Sequence, residues 1–170
     1  MHAQLRKYLA CLNSVAIVLA VLAWTGSAFA ATTTTTFTVQ ITITASCVIN
    51  SASTLNFGGQ GVLTANVDNT WTIQVQCTNT TPYNIGLDAG TGTGATVAVR
   101  KMTNGANTIT YSLYSDSGHT TVWGNTVGTN TVAATGSGAS QSYTVYGRVT
   151  AQTTPAPATY TDTVTVTVTY

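Results

Sequence analysis

The sequence predicts an all-β protein, built as a two-sheet Greek-key sandwich. Three observations carry that expectation. Threonine supplies 37 of residues 31–170, with valine and tyrosine frequent beside it, and such β-branched and aromatic side chains fit a pleated surface. Glutamate is absent, lysine and leucine are scarce there, and no apolar stripe of useful length recurs at helical spacing. Apolar residues instead alternate with polar ones in short sets separated by turn residues. Many short strands at this spacing favour a two-sheet sandwich over a parallel sheet.

The chain opens on what reads as a secretory signal peptide, residues 1–30. Arg6 and Lys7 precede an apolar stretch that runs from Tyr8 through Val15 to Trp24. It closes on Ser27-Ala28-Phe29-Ala30, with small residues at the −3 and −1 positions of a cleavage site. The apolar core at 15–23 is too short for a membrane anchor and follows Asn13 and Ser14. Cleavage after Ala30 leaves residues 31–170, one domain of ordinary size. Residues 31–46 read as a polar, flexible leader, Thr32 to Thr36, followed by a strand; residues 47–170 read as the domain.

The strand at 37–43 has Phe37, Val39, Ile41 and Ile43 on one face and Thr38, Gln40 and Thr42 on the other. Next come Trp71, Ile73, Val75 and Cys77, then Tyr83, Ile85 and Leu87 after Pro82. Ile109, Tyr111 and Leu113 form a further set, as do Tyr143, Val145, Gly147 and Val149. The last set is Val164, Val166, Val168 and Tyr170, alternating with threonines in a strand expected over 160–170. Asn104-Gly105 is a hairpin signal between 97–102 and 108–114. Residues 90–94, 128–138 and 153–159 read as loops. Periodicity leaves open whether 37–43 is the first strand of this sandwich or a strand given to another molecule.

With Cys11 removed in the signal peptide, Cys47 and Cys77 remain as an even pair in an exported protein, so a disulfide is the expectation. It closes a loop of about 31 residues, worth roughly 3–4 kcal/mol in the chain-entropy account. After cleavage the charges are Arg100, Lys101 and Arg148 against Asp68, Asp88, Asp116 and Asp162, a net −1. No basic stripe suits nucleic acid or anionic lipid. A surface this nearly neutral gives little electrostatic protection against self-association.

Catalysis finds little support. His119 is the one histidine after cleavage, with Asp116 three residues away, but no nucleophile elbow accompanies them. Residues 115–121 read as a polar loop, and Arg100-Lys101 as a solvated strand edge. The four aspartates form no paired-carboxylate motif, two cysteines and a distant histidine form no metal site, and the Asn79-Thr80-Thr81 sequon is common by chance. No catalytic, metal or cofactor site is expected.

Across residues 37–170 the chain resembles the spore coat protein U domain family, which includes subunits of the archaic chaperone–usher pili of Gram-negative bacteria. The resemblance rests on Cys47-Val48-Ile49, Phe57-Gly58, Val75-Gln76-Cys77-Thr78, Pro82-Tyr83 and Arg100-Lys101-Met102. It continues through the run from Ile109 to Asp116, Trp123-Gly124, Val145-Tyr146-Gly147-Arg148 and the ending from Thr159 to Tyr170. Ala158-Thr159 stand where a glycine commonly precedes the tyrosine of the ending, a change expected to alter a turn.

The resemblance implies an incomplete immunoglobulin-like Greek-key β-sandwich, lacking its last strand and completed by donor-strand exchange. The donor strand then falls on Phe37, Val39, Ile41 and Ile43, and the acceptor-groove edge strand on Val164, Val166, Val168 and Tyr170. The implied partners are a periplasmic chaperone, an outer-membrane usher and identical or related pilin subunits in a head-to-tail polymer. The implied role is a structural subunit of a secreted, adhesive, biofilm-promoting pilus at the cell surface, reached through the periplasm. A spore-coat or other cell-surface structural protein is one alternative. A tip adhesin is the other; such subunits usually carry an additional receptor-binding domain, for which 140 residues leave no room.

Overall fold

The first strand begins at a cysteine. The computed structural model describes residues 29–51 and 53–170, so the signal-peptide reading and Cys11 lie almost wholly outside the described residues. Residues 29–41 form a unit separate from 42–170, and no residue from 29 to 46 is in a strand. β1 (Cys47–Ile49) pairs antiparallel with β2 (Val67–Cys77), Cys47 standing opposite Cys77. The two sulfurs are bonded. Cys47 therefore opens the first strand.

β2 turns Ile73, Val75 and Cys77 inward, each fully buried, with Trp71 half-buried on the same face. Their polar neighbours Thr72, Gln74 and Gln76 face solvent, as period-two alternation requires. β3 (Pro82–Leu87) buries Tyr83, Ile85 and Leu87. β4 (Arg100–Asn104) and β5 (Asn107–Tyr114) form the hairpin that Asn104-Gly105 signals, closed by Gly105 and Ala106 between paired Asn104 and Asn107. Gly105 has φ 58°, so a residue without Cβ suits this first loop position.

β6 (Val132–Thr135) lies inside the stretch that composition reads as a loop. It is only four residues long and half-buried, and pairing with β3 makes it a strand where local pattern is too short to declare one. β7 (Ser140–Val149) pairs with β2 over ten residues and buries Val145, Gly147 and Val149. β8 (Val166–Thr169) is much shorter than the strand expected over 160–170.

The reason is a change of partner. Thr161 exchanges main-chain hydrogen bonds with Thr103 of β4, whereas Val166–Thr169 pairs with β3 in the other sheet. The chain crosses between sheets in the intervening residues, so one continuous alternation serves two ladders.

The strands form a five-stranded sheet, β1-β2-β7-β5-β4, and a three-stranded sheet, β6-β3-β8, with every ladder antiparallel. Their inner faces share one core, in which Trp123 joins both sheets. Its backbone N–H donates to Leu113 O of β5 at 2.9 Å, and its indole N–H donates to Ile85 O of β3 at 2.8 Å.

Candidate functional site: the open edge beside the last strand

β8 is the terminal strand of its sheet, with β3 as its one ladder neighbour. The backbone N–H of Asp88 donates to Thr165 O at 3.1 Å, and the register continues through Gly86↔Thr167 and Asn84↔Thr169. Main-chain groups point alternately to either side of an antiparallel strand. Thr165, Thr167 and Thr169 thus address β3, while Val166 and Val168 turn their N–H and C=O to the unpaired edge. Val164, Val166 and Val168 are half-buried against the core and the intervening threonines are exposed. Tyr170 differs from the three valines: it lies beyond β8 and is 60% exposed.

Beside this edge lies a groove of about 1390 Å³. Leu87 and Val166 line it from the three-stranded sheet, Val164 from the crossing just before β8, and Met102, Ile109, Tyr111 and Leu113 from the five-stranded sheet. Leu55 and Phe57 also line it. They come from the connection 50–66 between β1 and β2, none of whose described residues is in a strand. Both side chains sit over Gly147: a Cβ there would lie 2.6 Å from Leu55 Cδ2 and 2.9 Å from Phe57 Cζ. Gly147 occupies an inward position of β7 where the alternation calls for an apolar side chain, and the close approach of the connection explains the glycine.

Polar residues fix the end of the groove where the chain changes sheets. Arg100 has no exposed surface, contrary to the solvated edge its sequence context suggests. Its Nε donates to Asp88 O at 2.7 Å, Nη1 to Val97 O at 2.7 Å, and Nη2 to Leu87 O at 3.0 Å and Trp123 O at 2.8 Å. Burial lowers its pKa, opposed by Tyr111, Asp88 and Asp162. The planar fork satisfies four carbonyls drawn from three separate stretches of chain.

Asp162 receives the Tyr111 hydroxyl at 2.8 Å and the backbone N–H groups of Thr91 and Thr163 at 2.7 and 2.8 Å. Burial and the bond to Asp162 push the Tyr111 pKa well up, so it stays a neutral donor. Asp88 accepts from the backbone N–H groups of Gly90 and Thr165, both at 2.9 Å. Burial works to raise its pKa, but the bonds from Thr165 and Gly90 and the charge of Arg100 outweigh it and hold the carboxyl below the ordinary value.

The four donor-segment candidates are large, exposed apolar residues: Phe37 86%, Val39 83%, Ile41 83% and Ile43 72%. Exposed Leu or Val singly is ordinary, but four in strict alternation on one short segment is not. His119 and Asp116 build a loop. Asp116 accepts from the backbone N–H groups of Thr120 and Thr121, and these bonds, Thr121's foremost, bring its pKa down to about 2. His119 packs edge-on between Tyr114 and Tyr146, and among the described residues no serine, threonine or cysteine side chain hydrogen-bonds to it. Among the described residues no three metal-ligating side chains cluster.

An all-β sandwich with an unpaired edge beside an apolar groove is an incomplete immunoglobulin-like fold. The profile of the Spore Coat Protein U domain family matches residues 33–167, and the chain belongs to that family. It is 35% identical over 156 residues to Protein U of Myxococcus xanthus, covering 83% of this chain and 87% of that protein. It also resembles a chain in the crystal structure of the CsuC–CsuE chaperone–tip adhesion subunit pre-assembly complex from the archaic chaperone–usher Csu pili of Acinetobacter baumannii. The TM-score is 0.55 at 25% identity, over 76% of this chain and 40% of that one.

Proposed function

We propose that this protein is a structural subunit of a surface pilus assembled by a chaperone and an usher, polymerising by donating residues 37–43 to the groove of a neighbour. The observation that carries the reading is the pairing of two incomplete features in one chain. β8 has an unpaired edge beside an apolar groove, and a separate N-terminal segment exposes alternating apolar side chains. An added strand supplies main-chain hydrogen bonds to such an edge, and its alternate side chains fill the pockets beside it. Phe37, Val39, Ile41 and Ile43 are the donor residues. On the acceptor side Val164 and Val166 line the groove, and Val168 and Tyr170 continue the same edge beyond its lining. The donor lies at the N-terminal side of the domain and the acceptor beside its last strand, so the contact is heterologous and propagates into a filament.

Until a donor arrives, the open edge is a template for aggregation, which is the physical need a periplasmic chaperone meets. The secreted, cell-surface destination, the usher and the adhesive, biofilm-promoting role belong to this same reading. The family description equally suits a coat-forming protein, and filament assembly separates the two.

Deleting residues 31–44 tests the proposal. The donor reading expects a folded, chaperone-bound subunit that no longer polymerises. Exchanging the residues within the pairs Phe37/Thr38, Val39/Gln40 and Ile41/Thr42 keeps composition but moves the apolar set to the other face. That protein is expected to accept a strand but not to donate one. A synthetic peptide of residues 37–46 should raise its melting temperature, since a ligand bound to the folded state alone stabilises it. Long filaments from the exchanged protein, or a deletion variant that never folds with its chaperone, would sink strand donation from this segment.

A further inference from the structure

We propose that the Cys47–Cys77 disulfide is a mechanical clamp at the root of the donor segment, one that stops a stretched filament from lengthening inside each subunit. The inference rests on the strand-donation reading above. In such a filament, tension enters each subunit through residues 44–46, because Ile43 is the last donor residue and Cys47 the first residue of β1. Three residues of covalent chain separate the donor from the disulfide.

The chain just behind Cys47 is weakly held by anything but that bond. β1 has three residues and pairs on one side, with β2. Cys47 lies at its N-terminal end, so a pull from residue 46 reaches the pairs Cys47↔Cys77, Val48↔Gln76 and Ile49↔Val75 in turn. The flanking main-chain bonds, Thr78 N–H to Ser46 O at 2.9 Å and Asn50 N–H to Gln74 O at 2.8 Å, belong to the same short ladder. Behind β1 comes the connection 50–66, none of whose described residues is in a strand. It is anchored by half-buried Leu55 and Phe57, buried Leu63, and side-chain hydrogen bonds such as Trp71 Nε1 to Ser53 Oγ. Without the disulfide, peeling would free residues 48–66 before reaching Val67, the first residue of β2. Nineteen extended residues span roughly 65 Å.

The disulfide removes that length from the load path. Tension passes from Cys47 directly to Cys77, at the far end of β2, and the loop between them stays slack. Cys77 is buried in the core, and β2 is paired with β7 over ten residues, the longest ladder in the fold. The position of the bond, opposite the very residue where the donor segment joins the domain, is what a clamp requires. A bond placed merely to shorten the unfolded chain could lie anywhere in the first half of the sequence.

The test is to stretch single filaments assembled from the full chain, by optical tweezers, first without and then with a reductant, with thiol labelling to verify reduction. Reduced filaments are expected to show a new extension step of at least roughly 30 Å per subunit, the ~65 Å of freed chain less the length of β2 that already separates Cys47 from Val67, at forces below those that pull donor strands out, and oxidised filaments to lack it. Filaments of the Cys47→Ser/Cys77→Ser chain should show the step with no reductant; if that chain does not assemble, reduction of preformed wild-type filaments decides. Identical traces from oxidised and verified reduced filaments overturn the clamp and leave strand donation standing. If the wild-type chain forms no filaments at all, the polymer reading falls and the clamp falls with it.

Discussion

Replacing Arg100 with methionine probes the least local feature of this fold. Methionine keeps most of the apolar stem and removes every donor, so four carbonyls lose their partner: Leu87 O, Asp88 O, Val97 O and Trp123 O. Two of these bonds, to Leu87 and Trp123, are fully buried. Leaving a buried acceptor unsatisfied costs about 1–3 kcal/mol, so those two alone give roughly 2–6 kcal/mol. Removing the cation also removes its own desolvation cost, but truncating one member of a buried polar network is dominated by the partners left behind. The loss is a large share of the ~5–15 kcal/mol that holds a domain together.

The assay is urea unfolding of residues 31–170, followed by the fluorescence of Trp71 and Trp123. With a urea slope of about 1–3 kcal/mol per molar, the midpoint should fall by on the order of 1–3 M. Arg100→Lys should lie between, since an ammonium keeps the charge but cannot present the planar fork. A methionine variant whose midpoint stays within about 0.3 M of the wild type would refute the reasoning, because the carbonyls would then not depend on the guanidinium.

Three further outcomes follow from the same fold. Val166→Asp should cost at least about 2 kcal/mol by setting an unpaired carboxylate against the core, whereas Thr167→Asp on the exposed face should change little; chaperone-bound yield from the periplasm reads both, and equal effects would mean the wrong face is assigned. Gly147→Ala should cost about 1–2 kcal/mol by crowding Leu55 and Phe57, with the loss partly relieved in a Leu55→Ala background; a double-mutant cycle by thermal melting measures that coupling, and none would place the side chains elsewhere. Asp116 and Asp88 have folded-state pKa values below their ordinary ones, so their contribution is complete above the unfolded value near 4 and is lost as pH falls toward the folded values, about 2 for Asp116. Asp116→Asn should flatten the acid-side fall of the unfolding midpoint between about pH 4 and pH 2, and an unchanged slope would argue against the Thr120 and Thr121 hydrogen bonds.

Alternation within a few residues is a local property, so the inward faces of β2, β3, β5 and β7 were legible along the chain. Ile73, Val75, Ile85, Leu113 and Val145 are buried where the period-two pattern puts them. The Asn104-Gly105 hairpin was legible for the same reason, since two strands joined by a two-residue turn have little choice of partner. Three things needed the tertiary structure. Residues 160–170 alternate without interruption, yet the pattern carries no sign of which neighbour each part pairs with, and the chain changes sheets between Thr161 and Val166. β6 becomes a strand only because β3 offers it an edge. Arg100 looked like a surface cation beside Lys101, and its four acceptors come from three separate stretches, at 87–88, 97 and 123. A side chain's periodicity follows from the backbone it stands on; its partners follow from which distant segments the fold brings to it. That is why the sequence alone determined the strand faces and the pairing of Cys47 with Cys77. Tertiary structure decided the open edge at β8, the groove beneath it and the buried guanidinium at its end.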